Sequence, residues 1–260
     1  MKTRALLVAL AAASGMALAT GPAAAQESGT FVLTQNGNEI ATEEFTRTGD
    51  TLDTEMTVPG RAVIETNATL AGDATVERLE IRVFPPASPE ADPLQTTAAE
   101  FRSDSVFVEQ PIGTATAAQP AVLGTVPFMN PSPSHLEQML RRARALGGSN
   151  VTVQVWIPTQ GAGQVAPAQI AFNDDGSATL SLGSVVFELQ TDEDGRVLGG
   201  EAPAQGLVIE PQQTTRQGTA RGEAAPPRPS GIRRRGSRAS RTGCTAVATR
   251  GIFLHANPRG

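Results

Sequence analysis

Residues 31–45 read Phe31-Val32-Leu33-Thr34-Gln35-Asn36-Gly37-Asn38-Glu39-Ile40-Ala41-Thr42-Glu43-Glu44-Phe45. Asn36-Gly37 stands between two extended runs. A two-residue type I′ turn needs positive φ at both central positions, which Asn and Gly tolerate, so this stretch predicts a β-hairpin. The same pattern recurs along the chain. Turn signals stand at Gly49-Asp50, Gly72-Asp73, Asp174-Asp175-Gly176 and Glu193-Asp194-Gly195. Between and beyond them, residues 51–58, 62–70, 75–84, 105–110, 151–157, 169–173, 178–182, 185–191 and 207–210 are predicted as strands. Leu79, Ile81 and Val83 fall on one face of their strand, as do Val151, Val153 and Val155 of theirs. Such alternation predicts an antiparallel sheet with one face buried and the other wet.

One segment departs from the period of two. Residues 133–147 predict a helix with both ends marked. Ser134 and Glu137 have the spacing of a capping box. Leu136, Met139, Leu140, Ala143 and Leu146 make an apolar face. Arg141, Arg142 and Arg144 lie toward the C-terminus, where cations meet the helix dipole favourably, and Gly147 ends the helix. The loop 111–133, rich in Pro, Ala, Thr and Gly, leads the chain there. The fold class is therefore mainly β (α+β): a curved antiparallel sheet or half-barrel with one amphipathic helix packed on its apolar face.

The ends of the chain read differently. Met1-Lys2-Thr3-Arg4 is a short basic region, Ala5–Ala19 is apolar and uncharged, and Ala23 and Ala25 form an Ala-x-Ala site before Gln26. This is the pattern of a Sec-type signal peptide over residues 1–25, and it predicts a bacterial protein that is periplasmic or secreted. No later segment is apolar enough to span a membrane. Residues 26–210 hold 9 Arg against 25 acidic residues, a net charge of −16. Residues 211–260 hold 10 Arg and one acid, Glu223, a net of +9. That contrast marks a boundary between a β-rich domain (26–210) and a basic tail (211–260). The acidic domain disfavours nucleic acid as a partner, because phosphates are repelled. The tail lacks hydrophobic periodicity, and disorder is expected of it.

Catalytic and metal-binding signals are sparse. Cys244 is the sole cysteine, and His135 and His255 are the two histidines. No Gly-x-Ser-x-Gly elbow occurs. His135 falls in the first helical turn and reads as an exposed residue. Glu43 and Glu44 are adjacent in a strand and should point to opposite faces. The Asp-rich turns lack the spacing of a calcium loop. No catalytic residue, metal site or cofactor is expected. Phe84, Phe128, Met129, Met139, Leu140 and Trp156 are candidates to line an apolar groove between sheet and helix, with an ordinary core as the plainer reading.

The opening stretch, 29–45, and the closing stretches, 187–198 and 201–208, resemble the two ends of a β-rich domain that accompanies exported bacterial α/β-hydrolases. That family is similar in fold to the half-barrel of periplasmic lipoprotein carriers. The resemblance covers about residues 28–210 and rests on turns and strand ends. It implies an exported, non-catalytic accessory or binding domain, whose partner would be an apolar small molecule or a hydrolase domain. It leaves two alternatives open: the front part of an exported serine hydrolase whose catalytic domain this chain lacks, and a carrier of lipid or another apolar ligand. No catalytic residue transfers, since the family's nucleophile elbow lies in the following domain. The abrupt onset of Arg/Gly/Pro-rich sequence after residue 211 is also what a frameshift in GC-rich DNA produces. If the frame slipped, the other two frames beyond the codon for Gln212 encode a Gly-x-Ser-x-Gly sequence; noise in both frames removes that explanation.

Overall fold

Asn36 and Gly37 take φ of 52° and 79°, and the hairpin joins β1 (Gln26–Gln35) to β2 (Asn38–Thr48). The structure, a computed structural model, describes residues 26–86, 92–109, 117–159 and 162–217. The chain divides into two compact units, Met1–Thr219 and Ala220–Gly260, and every described residue belongs to the first. The segment 1–25, expected to be a signal peptide, and most of the tail lie outside the described residues.

From β2 the chain continues as a meander through β3 (Thr51–Val58), β4 (Ala62–Leu70), β5 (Val76–Phe84), β6 (Gln95–Phe101), β7 (Ser105–Glu109) and β8 (Ala117–Pro120). The short β9 (Val126–Pro127) precedes the helix α1 (Pro133–Leu146). A second meander follows: β10 (Asn150–Ile157), β11 (Gln164–Phe172), β12 (Ser177–Leu182), β13 (Val185–Thr191), β14 (Val197–Ala202), a 3₁₀ turn at Pro203–Gln205, and β15 (Leu207–Gln217).

These strands form a single sheet with the order β8-β7-β6-β5-β4-β3-β2-β1-β15-β14-β13-β12-β11-β10-β9. Neighbours are antiparallel throughout, except that β9 runs parallel to β10. The first and last strands meet at the centre, where Gln26 stands opposite Gln217 and Gln35 opposite Leu207. The sheet stays open but curls, so that β9 approaches β5 and β8 approaches β11. One continuous core includes Phe31, Leu33, Phe45, Leu52, Leu79, Val106, Val155, Trp156, Leu180, Phe187 and Ile209. The apolar side of α1 (Leu136, Met139, Leu140 and Ala143) enters that core with no exposed surface. Burying each large apolar side chain is worth about 1.5–3 kcal/mol, so this side supplies the attraction that seats the helix.

The structure corrects several expectations. The β-rich part does not stop at Glu210: β15 runs on to Gln217 against the start of β1. Its end has no apolar alternation in sequence, so hydrophobic patterning could not mark it. Pro211 is tolerated because it stands at a bulge, where the register shifts between Thr30 and Phe31. The predicted loop before the helix contains β8 and β9. β6 and β14 were also not foreseen. β14 was hidden by Gly199-Gly200, at φ 136° and 159°. A Cβ on Gly200 would lie 2.5 Å from the carbonyl oxygen of Glu188 in the neighbouring strand. Glycine here permits a close backbone approach, and a pattern of apolar residues cannot show that. Among the described residues, no helix is long and apolar enough to cross a membrane.

Gly200→Ala should therefore strain β14 against β13 and lower stability by about 1–3 kcal/mol. Urea denaturation measures the loss; an unchanged midpoint would show that the strands separate without cost.

Candidate functional site

The helix packs on the apolar face of the sheet as expected. The curl of the sheet also buries much of its polar side: Ser134, His135, Glu137, Gln138 and Arg142 are buried along with its apolar residues. Leu146, assigned from sequence to the apolar face, is 49% exposed. The N-cap is Ser132, whose hydroxyl accepts from the His135 N–H. The proposed capping box does not form, because both of its side chains are engaged elsewhere. Gly147 ends the helix as expected, at φ 78°.

A chain of charges fixes the polar side of α1. Arg47 of β2 donates to Gln138 at 2.6 Å and pairs with Glu137 at 3.4 Å. Glu137 also accepts from Arg141 at 2.9 Å and from the Val197 N–H at 3.2 Å. Arg141 reaches Glu27 of β1 at 3.0 Å, and Glu27 pairs in turn with Arg196. Gln138 donates to the Ala74 carbonyl at 2.7 Å, and Arg142 donates to the Asp73 carboxylate at 2.9 Å. Burial lowers the pKa of Arg47, while the Glu137 charge works against that fall. Desolvation cancels much of the attraction in buried ion pairs. The network therefore sets the rotation of the helix, while its apolar side provides the hold.

The N-terminal turn of α1 gathers Glu43, Ser132, Ser134 and His135. Glu43 on β2 is 0% exposed, and its Oε1 accepts the Ser134 N–H at 2.9 Å. A carboxylate there meets one of the free donors of the helix terminus. Burial nevertheless pushes the Glu43 carboxyl up to about 7, helped by the Glu137 charge and opposed by the Ser132 and Ser134 hydroxyls. Burial also pulls the His135 imidazole down to about 4, helped by the Arg47 charge. The His135 ring accepts the Met129 N–H on Nδ1 at 3.1 Å, which puts the proton of the neutral ring on Nε2. Neither Glu43 Oε2 nor His135 Nε2 makes a hydrogen bond of good geometry.

Serine, histidine and glutamate thus stand together, as residue types of a hydrolase triad do. Their geometry is different: the imidazole is occupied by a backbone donor, the serines bond each other at 3.2 Å, and the group is shut inside. The sequence reading of His135 as exposed is overturned, since it is 1% exposed. Glu43 and Glu44 do point to opposite faces, buried and exposed respectively.

The six groove candidates are not all brought together. Phe128, Met139, Leu140 and Trp156 belong to the core, and Met129 packs against it. Phe84 is buried outside that cluster, opposite Val63 and with Arg82 6.0 Å from its ring centre. Trp156 is fixed by a hydrogen bond to the Ala162 carbonyl at 2.9 Å and by the edge of Phe101.

The outward face of β2–β5 is polar and acidic. Glu44, Glu55, Glu65 and Arg82 stand opposite one another from strand to strand. Thr46, Asp53, Asn67 and Glu80 form a parallel row. Arg82 pairs with Glu65 at 2.8 Å and with Glu80 at 3.7 Å. Both rows line a shallow concavity of about 630 Å³. The Asp-rich turns close on themselves: Asp175 accepts from the Ser177 N–H, and Asp192 from the N–H groups of Asp194 and Arg196.

Fold and site together define a class: a curled, open antiparallel sheet closed around one helix by a buried charge network. No protein-family model matches the chain, and no curated protein matches it. Among the solved structures that match the chain are two of domains of unknown function. One is a DUF1089-family protein from Pseudomonas aeruginosa, 16% identical over 64% of this chain and 90% of that one, with a TM-score of 0.48. The other is a β-barrel-like protein of domain of unknown function DUF1849 from Brucella abortus, 9% identical over 75% of this chain and 98% of that one, with a TM-score of 0.41.

Removing Glu137 leaves the buried Arg47 and the half-buried Arg141 with one partner fewer. Glu137→Ala should cost about 3–5 kcal/mol, measured by urea denaturation followed by circular dichroism. A loss under about 1 kcal/mol would mean that water replaces the carboxylate freely.

Proposed function

We propose that the β-rich domain is a non-catalytic accessory or binding module of an exported protein, acting through its outer surface. The observation that carries this reading is the enclosure of α1. Ten of its fourteen residues are buried, and its apolar side fills the space in which a ligand of the inner face would sit. The signal-like residues 1–25 support export. The resemblance to domains that accompany secreted hydrolases supports an accessory role beside a catalytic partner. The acidic outer face supports the exclusion of polyanions.

A carrier needs a concave, largely apolar site open to its ligand. The groove candidates are engaged in packing, which weighs against that alternative. In equilibrium titration, the purified chain should show no saturable binding of a fatty acid or of an anilinonaphthalene dye, and no turnover of small esters. Trp156, the sole tryptophan, reports directly on the core. Saturable micromolar binding with a change in its emission would restore the carrier reading. Ester turnover that co-purifies with the chain would restore the hydrolase reading.

A further inference from the structure

Two ionisable groups are shut in at the N-terminal turn of α1, and neither faces a counter-ion of its own. Glu43 comes from β2 and His135 from α1. Each is essentially without exposed surface, and each keeps one polar atom without a hydrogen bond of good geometry, Oε2 and Nε2. Burial opposes charge whatever its sign. The carboxyl is therefore driven to keep a proton, and the imidazole to lose one.

We propose that Glu43 and His135 form a proton-compensated pair that holds the seating of α1 constant from acidic to neutral pH. When the helix enters the sheet, Glu43 takes up a proton and His135 releases one. The net exchange with solvent is then zero wherever both changes are complete.

The surroundings are consistent with opposite responses. Glu43 is faced by Ser132, Ser134 and Glu137 of α1. His135 is faced by Arg47 of β2 and by the Met129 N–H. Arg47 is itself balanced by Glu137 and Glu27 and opposed by Arg141.

The signs follow from linkage. Glu43 rises from 4.5 to about 7 on folding. Its contribution to stability is full below 4.5 and is lost as pH rises to 7. His135 falls from 6.5 to about 4. Its contribution is full above 6.5 and is lost as pH falls to 4. Near the middle of the span from 4.5 to 6.5 the two slopes oppose each other, each approaching one proton, or about tenfold in the folding equilibrium per pH unit. A chain exported into a compartment of unregulated pH would gain from that cancellation.

The test is urea unfolding of the full chain, its Glu43→Gln and His135→Asn variants and the double variant, from pH 4 to 8. Asn at 135 keeps an acceptor for the Met129 N–H. Relative to Glu43→Gln, the folding constant of the unaltered chain should fall about tenfold per pH unit between 4.5 and 7. Relative to His135→Asn, it should rise about tenfold per pH unit between 4 and 6.5. The double variant should run parallel to the unaltered chain between 4.5 and 6.5. Ratios that are flat, or that slope the same way for both variants, overturn the proposal. If a variant does not fold, NMR titration of the unaltered chain decides: His135 neutral at pH 5 with Glu43 still protonated at pH 6 supports the pair, and ordinary titration of either one overturns it.

Discussion

A helix whose first three turns are enclosed by a curled sheet has little polar surface left for water there, and that constraint governs this structure. Most of the buried polar groups on α1 find partners in the strands and turns around it. Glu27, Glu43, Arg47 and Asp73 supply such partners from β1, β2 and a turn, and Arg196 supports Glu27 from behind. The apolar residues of α1 provide the gross stabilisation, because buried ion pairs return little beyond their desolvation cost. What the charges supply is a single rotation and depth for the helix. Leu136, Met139 and Leu140 then meet the core rather than the network. The position of Glu43 at the first turn of α1 depends on the same enclosure.

The fold was legible wherever its cause was local. Asn36-Gly37 dictates its hairpin, and the alternation of Leu79, Ile81 and Val83 gives the inward face of β5. The helix limits were also readable, because the apolar spacing and Gly147 act within a few residues. What stayed hidden depends on distant contacts. The Ser134 N–H meets a carboxylate 91 positions earlier in the chain, and no spacing rule connects the two. His135 looked exposed because helical position alone assigns it to the polar side. Only the sheet's curl makes that side an interior. Gly199-Gly200 concealed β14 for a related reason, since its glycines answer to the carbonyl of Glu188.

The outer face gives the charge count a location. Acidic residues prevail over residues 26–210 by sixteen charges, and part of that excess stands in register across β2–β4. Like charges directly opposed on neighbouring strands cost stability, by roughly 0.2–1 kcal/mol per pair. Arg82 relieves one end of the row. The inner and outer faces of the same strands thus carry opposite designs: paired charges within, and a surplus of one sign without.

The meeting of β1 with β15 has a consequence for how the molecule assembles. Each meander consists of neighbours in sequence and can form by short-range steps. Their junction joins residues almost 200 positions apart, and such closures are slow because chain entropy is lost before contacts compensate. Half the sheet can therefore be in place while the central seam is still open. β15, the last of the described strands, is the one that closes it, so synthesis in chain order leaves the seam open until both meanders exist.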